Sequence, residues 1–213
     1  MIYLASQSSR RRTLLRELGR AFRVVRSTYR ETMRRGALPS VHVMRNAMHK
    51  ARTARLPRGA RGLVIGADTM LYVQGRLIGK PKTMRQAARL LLALGGRSHW
   101  VYTGLCVRAI ATGQTRLSYE KTKVTFKPLT PALASRLVAR MSPLDKAGGY
   151  ALQEDRGELI ARIDGSRSNV IGLPLERLRR ELAIFEGQPP RNAGRGQALR
   201  LPLSRFFSAA SSR

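Results

Sequence analysis

The sequence predicts an α/β fold. Short apolar runs alternate along the chain with stretches whose apolar residues recur at helical spacing. Threonine, proline and glycine stand where the helices should begin and end. No internal repeat is visible, so the alternation describes one continuous architecture rather than an array.

The elements follow in order. Residues 2–5 read as a short apolar strand, and Leu14, Leu15 and Leu18 then mark one face of a helix that Gly19 ends. Phe22 opens a second strand. Over 39–56 the spacing of Val43, Ala47, Lys50, Ala51 and Ala54 predicts a helix, which Pro57, Gly59 and Gly62 terminate. Residues 63–73 read as two apolar strand runs interrupted by Asp68, with a turn at Gln74–Gly75. A helix is predicted over 83–94, with Thr83 as its N-cap and Gly95–Gly96 as its stop. Residues 100–110 and 116–126 form the two arms of a hairpin turning at Gly113. Thr130 caps the next helix and Pro131 occupies its first position. Residues 145–150 form a glycine-containing loop, 157–163 a short strand, and the chain then runs into a last helix ending near Phe185. From 187 to 213 the composition shifts to Pro, Gly, Ser and Arg, which predicts a disordered basic tail after a folded domain over 1–186.

A chain of 213 residues with 43% hydrophobic content can bury one domain or two small lobes. Its single cysteine, Cys106, excludes an internal disulfide framework and a cysteine zinc cluster, and its apolar neighbours mark it as a core residue. No run approaches the roughly 18 apolar residues of a membrane span, and no signal segment leads the chain, so the expectation is a soluble, cytoplasmic protein without a membrane partner. The formal net charge of +29 points to an anionic partner. Seven of the 41 basic residues are lysines and the other 34 are arginines, a bias that GC-rich codon usage also produces.

The stretch LASQSSRRRTLLRELG, residues 4–19, places Arg10, Arg11 and Arg12 where a helix begins. That end of a helix carries partial positive charge and disfavours cations, whereas its free N–H groups, with serine hydroxyls and guanidinium forks, suit phosphate. A solvated basic turn is the competing reading, and it is the one expected for Arg12. Asp68 is the sharpest single feature: one of only twelve acids, inside an apolar run, it needs a cation or hydrogen-bond donors around it. A structural ion pair with an arginine would satisfy the same need. Glu31 and Asp68 together could hold a hard divalent ion, and Arg10, Arg11, Lys50 and Lys80 could neutralise phosphate oxygens. This set suggests hydrolysis at phosphorus. His42, His49 and His99 have no metal-like spacing and read as surface or packing residues.

The segments LASQSSRRRTLLRELG, MHKA around Lys50, VIGADT, GRLIGKPKT, GRSHWVYTG, KTKVTFKPL, PLDKAGGYALQ and DGSRSNVIGLPL, with Glu31 between the first two, resemble the Maf family of nucleoside triphosphate pyrophosphatases in order and spacing, from residue 2 to about 185. The resemblance implies an elongated, two-lobed α/β fold related to ITP-hydrolysing enzymes, with a mixed central sheet and a cleft between the lobes. It implies cleavage of a nucleoside triphosphate between the α- and β-phosphates, assisted by Mg²⁺ or Mn²⁺. By the same resemblance Asp68 is the proton acceptor, and Ser6, Arg10, Arg11, Lys50 and Lys80 bind the phosphates. Glu31 and Asp68 are the metal positions, and Arg10, Thr69 and Gln153 are tied to base selection. The GADT, DKAGGY and GSRSN forms are similar to the branch acting on dTTP and UTP. A homodimer is a further implied partner state. Gln7 and Ser9 stand where the family has glycine and proline, Arg30 where an acid usually precedes Glu31, and Arg167 where an aromatic residue is expected.

Other readings remain beside this one. A purine-preferring triphosphatase, such as one acting on ITP, is the nearest enzymatic rival. A protein that binds nucleic acid through its basic surface and tail, or a division-related interaction protein, on a weakened Maf scaffold, would need no Asp68 chemistry. The few aromatics interleaved with basic residues argue against a surface for stacking single strands.

Overall fold

In this computed structural model the described residues are 1–33 and 36–187. The tail expected over 187–213 lies, beyond Gly187, outside them. The elements are β1 (Ile2–Leu4), α1 (Ser9–Arg16), β2 (Phe22–Val24), α2 (Pro39–Arg52), β3 (Leu63–Val73), β4 (Arg76–Ile78), α3 (Met84–Leu94), β5 (Ser98–Ala109), β6 (Thr115–Phe126), α4 (Pro131–Arg140), β7 (Ile160–Asp164), α5 (Arg167–Ile171) and α6 (Leu175–Phe185), with three short 3₁₀ turns between α4 and β7. Their alternation confirms the α/β class.

The strands form one mixed sheet in the order β2-β1-β3-β5-β6-β7, and β4 pairs with β3. Strands β1 and β2 run parallel to their neighbours, and the β3–β5–β6–β7 part is antiparallel. On its outer edge β3 pairs with β1 through residues 63–65 and with β4 through residues 71–73. Residues 66–70 therefore face neither strand on that side. A crevice at the end of a parallel strand, where the sheet changes partners, is where α/β proteins gather ligands.

Side chains alternate between the two faces of the sheet. On one face Ile65, Ala67, Leu105 and Val107 pack under α1 and α6 at one end, and Leu71 and Val101 pack with α3 and α4 at the other. On the opposite face, Val64 and Cys106 pack against Ala47, Met48 and Ala51 of α2. Two apolar bodies thus share the long strands, and the partner change on β3 falls between them. Helix α2 lies unusually close to the sheet. A Cβ on Gly104 would sit 2.2 Å from the Val43 carbonyl carbon, and one on Gly66 would sit 2.1 Å from the Ala47 oxygen. Glycine at these two strand positions is what lets the helix backbone settle on the strands.

Three boundaries differ from expectation for identifiable reasons. Strand β3 is continuous through Asp68, because every residue from Leu63 to Tyr72 has a partner on β5. Helix α2 ends at Arg52 rather than at 56: the Thr53 hydroxyl donates to His49 O at 2.8 Å, and Ala54 pairs with Ser27. Strand β7 begins at Ile160 rather than at 157, because the Asp155 carboxylate accepts the N–H groups of Glu158, Leu159 and Ile160 and holds a turn there. Thr83 and Thr130 cap α3 and α4 as expected, accepting from Gln86 N and Leu133 N. Among the described residues no helix is long and apolar enough to cross a membrane.

Candidate active site

The cleft opens on the outer edge of β3, and most of the anticipated residues meet there. Asp68 and Thr69 are neighbours on β3, so they point to opposite faces of the sheet. Asp68 faces α2 and is 3% exposed. Lys50, on the inner face of α2, donates to Asp68 Oδ1 at 2.7 Å, contacts Glu31 Oε1 at 2.5 Å and reaches the Ala67 carbonyl at 3.3 Å. One buried ammonium therefore holds two carboxylates that the sequence places 37 positions apart. Burial works to raise the Glu31 pKa, but Lys50, together with Lys80 and Arg11, outweighs it and keeps this carboxyl below its ordinary value.

The other oxygen of Asp68 accepts from Asn46 Nδ2 at 2.8 Å. Asn46 is itself oriented: the Tyr29 hydroxyl donates to its Oδ1 at 2.8 Å, and His42 Nε2 lies 3.3 Å from its amide nitrogen. His42 is a correction to the expectation of surface or packing histidines, since it is buried, lines the cleft and belongs to the chain of bonds behind Asp68. His49 stacks on Tyr29. His99 is a core residue against Phe126 and Tyr150, and burial pushes its pKa down to about 4, so it stays neutral.

The arginine-led helix start also resolves. Ser8 is the N-cap of α1, accepting from Arg11 N. The Arg11 guanidinium crosses the molecule. Its Nε donates to Gly172 O at 2.7 Å, Nη2 to the Thr69 hydroxyl at 3.0 Å and Nη1 to the Ser6 hydroxyl at 3.2 Å. Burial lowers its pKa and the nearby carboxylates of Asp68 and Glu31 partly restore it, so the group remains a cation. Arg10 reaches Asp145, with 3.0 Å to the carboxylate and 3.2 Å to the carbonyl oxygen. Arg12 departs from the solvated charge expected of it: it is half-buried, and its Nε is enclosed with no hydrogen-bond partner among the described residues.

Lys80 and Gln153 line the same cleft as Arg10, Arg11, Glu31, Lys50, Asp68 and Thr69. Ser6 stands behind Arg11. Asn46, Asp145, Lys146 and His42 also line the cleft and were not anticipated as site residues. Asn46 was legible, since it lies one helical turn before Lys50 and must share its face. Asp145, Lys146 and His42 carried no such signal. Lys146 is 3% exposed, bonding Asp145 at 2.9 Å and Ser142 O at 2.7 Å, and it anchors the loop that brings Asp145 to Arg10.

Among the described residues no three His, Cys, Asp or Glu side chains gather as a metal cage. Two carboxylates at one cleft wall still suit a hard cation whose other ligands are waters and phosphate oxygens, the usual magnesium arrangement. The residues present therefore fit a metal held jointly with a phosphorylated ligand.

A buried carboxylate fixed by two donors, beside a helix start and the cations Arg10, Arg11, Lys50 and Lys80, has the chemistry that suits a polyphosphate and a proton acceptor. The chain belongs to the Maf family: the profile described as Maf-like protein matches residues 1–185. It is 42% identical over 184 residues to a dTTP/UTP pyrophosphatase of Moorella thermoacetica, covering 86% of this chain and 94% of the relative. Against the protein of the same name from Pelotomaculum thermopropionicum the identity is 42%, covering 86% and 96%. Against that from Bacillus anthracis it is 40%, covering 86% and 95%. The Ham1 protein of Staphylococcus aureus aligns in structure over 87% of this chain and 98% of its own, with a TM-score of 0.47 and 16% identity.

Proposed function

We propose that the protein is a nucleoside triphosphate pyrophosphatase that hydrolyses dTTP and UTP to the monophosphate and pyrophosphate. The single observation that supports this most is Asp68, buried at the open edge of β3 with one oxygen on Lys50 and the other on Asn46. The identities of about 40% to dTTP/UTP pyrophosphatases, over nearly their whole length, supply the substrate class.

In this reading the triphosphate lies between the start of α1 and the Lys50–Asp68 wall. Arg10, Arg11 and Lys80 neutralise its non-bridging oxygens, which lowers the cost of bringing an electron-rich water to phosphorus. Asp68 accepts a proton from that water as its oxygen attacks the α-phosphorus. The bond from the α-phosphorus to the α,β-bridging oxygen breaks, and pyrophosphate leaves. Lys50 holds Asp68 in place and offsets its charge against the substrate. Thr69 and Gln153, which line the same cleft, face the nucleoside. A Mg²⁺ or Mn²⁺ ion held by Glu31 and Asp68 would supply further charge neutralisation at the phosphates.

The test is pyrophosphate release from a panel of dTTP, UTP, CTP, ITP, 7-methyl-GTP and the common purine triphosphates, with Mg²⁺ or Mn²⁺ and with excess EDTA. The expected result is release from dTTP and UTP that EDTA abolishes. A preference for ITP would transfer the protein to the purine reading, and full activity in EDTA would remove the metal.

Arg11→Ala is expected to lower kcat/KM for the preferred nucleotide by about tenfold or more, which is on the order of 1.4 kcal/mol. Steady-state kinetics on folded protein would check it. Unchanged kcat/KM would leave Arg11 as a tie between Thr69 and Gly172 and nothing more.

A further inference from the structure

The two faces of the sheet are covered unequally. At the end carrying Gly66 and Gly104, helices pack on both faces. At the other end α3 and α4 pack on one face, beside Leu71 and Val101. Among the described residues no helix covers the face opposite them. A solvated face of an antiparallel sheet is ordinarily polar. This one carries Tyr72, Trp100, Tyr102 and Tyr119, which the register places on neighbouring strands with their side chains on the same side. They are half of the protein's six tyrosines and its only tryptophan, all half-buried.

The rings are ordered against one another. Tyr102 and Tyr119 stack with centroids 6.2 Å apart and an interplanar angle of 24°, and Tyr72 meets Tyr102 edge-on at 6.1 Å. Lysines from β6 interleave with them. Lys121 is paired with Tyr102 and places its ammonium 5.0 Å from the centre of the Trp100 ring, and Lys123 is paired with Trp100. Among the described residues the one acid on this part of the face is Asp164, paired with Lys123 and already bonded by Arg162. Glu120 turns to the other face, where Arg177 holds it. Few aromatics are interleaved with basic residues along the sequence, but the fold brings these together. They are scattered in sequence, and the β5–β6 register collects them.

We propose that this open sheet face binds single-stranded nucleic acid, bases stacking on Trp100, Tyr102 and Tyr119 while Lys121 and Lys123 hold the phosphates. Flat rings on adjacent strands of an open sheet match the spacing of unstacked bases, and every base presents a π-face to them. The net charge of +29 attracts any polyanion to the molecule at long range. The aromatic face adds what diffuse charge lacks, a preference for strands whose bases are free.

The single tryptophan makes the test site-specific. The full chain is titrated with a 12-nucleotide dT strand, the same length of rU, an abasic strand and heparin, following Trp100 emission and fluorescence anisotropy over a range of salt. The expected result is quenching of Trp100 by dT or rU, tighter binding of those strands than of the abasic one, and no quenching by heparin. The ratio of the dT and rU affinities then says which sugar is preferred. Tyr102→Ala is expected to weaken binding about tenfold. Lys121→Ala with Lys123→Ala should weaken it and flatten the salt dependence, with nucleotide hydrolysis unaltered in both variants. Lys121 is exposed and Lys123 half-buried, so the paired lysine changes keep the test intact if Tyr102→Ala does not fold. Equal binding of all four polyanions without a change in Trp100 emission would overturn the proposal in favour of diffuse charge. A Trp100 signal that follows protein concentration alone, with a dimer in sedimentation, would overturn it in favour of an interface between two copies of this chain.

Discussion

Asp68→Asn is expected to lower kcat for dTTP and UTP by about a thousandfold, within the range that a general base contributes. The amide is close in shape to the carboxylate, so KM should change little and the fold should persist. The loss is chemical: an amide cannot accept the proton of the attacking water. It also removes one of the two carboxylates that share Lys50. Asn46, which now donates to Asp68 Oδ2, and Lys50, on Oδ1, would compete for the single amide oxygen of residue 68, and one of the two donors would lose its acceptor. Pyrophosphate release under saturating nucleotide, with circular dichroism on the same sample, measures both parts. More than a tenth of the parent kcat in a folded variant would remove Asp68 from the role of base and shift attention to Glu31.

Gly104→Ala is expected to act through the fold. Its new methyl group would meet the Val43 carbonyl carbon at 2.2 Å, and backbone cannot move aside as a side-chain tip can. Helix α2 must lift from the sheet or the strands must bend. The expected loss is about 3 kcal/mol, equivalent to a Tm lower by roughly 6 to 12 °C in a chain of this size. Activity should fall further than stability, because α2 carries both Lys50 and Asn46. A small displacement of the helix removes two of the donors that fix Asp68. Thermal unfolding and kcat below the transition separate the two effects. An unchanged Tm would contradict the close seating of α2 on β5.

The two variants probe different levels of one design. At Asp68 the proposed chemistry would reside in a side chain whose nature is written in one position. At Gly104 it resides in the absence of a side chain, 36 residues further on, and its purpose becomes visible only when α2 is laid across the sheet. The glycine in GADT is of the same kind: Gly66 reads as part of a motif, and in the fold it is the place where Ala47 passes over the strand.

By itself the sequence determined the inventory and the order of elements. Caps at Thr83 and Thr130, the stop at Gly95–Gly96 and the β5–β6 hairpin around Gly113 follow from local preferences that act within a few residues. The oddity of Asp68 among apolar residues, and of three arginines at a helix start, was legible for the same reason: each conflicts with its immediate neighbours. Even Asn46 was within reach, because helical period alone places it beside Lys50. Only the tertiary structure decided who meets whom. Glu31 and Asp68 share Lys50, Arg11 binds Gly172, Arg10 binds Asp145, and four aromatic rings from three strands line one open face. These encounters depend on strand order, on register and on how closely a helix can approach. Each of those is set by packing summed over the whole chain, and a one-residue change of register would send every such side chain to the other face.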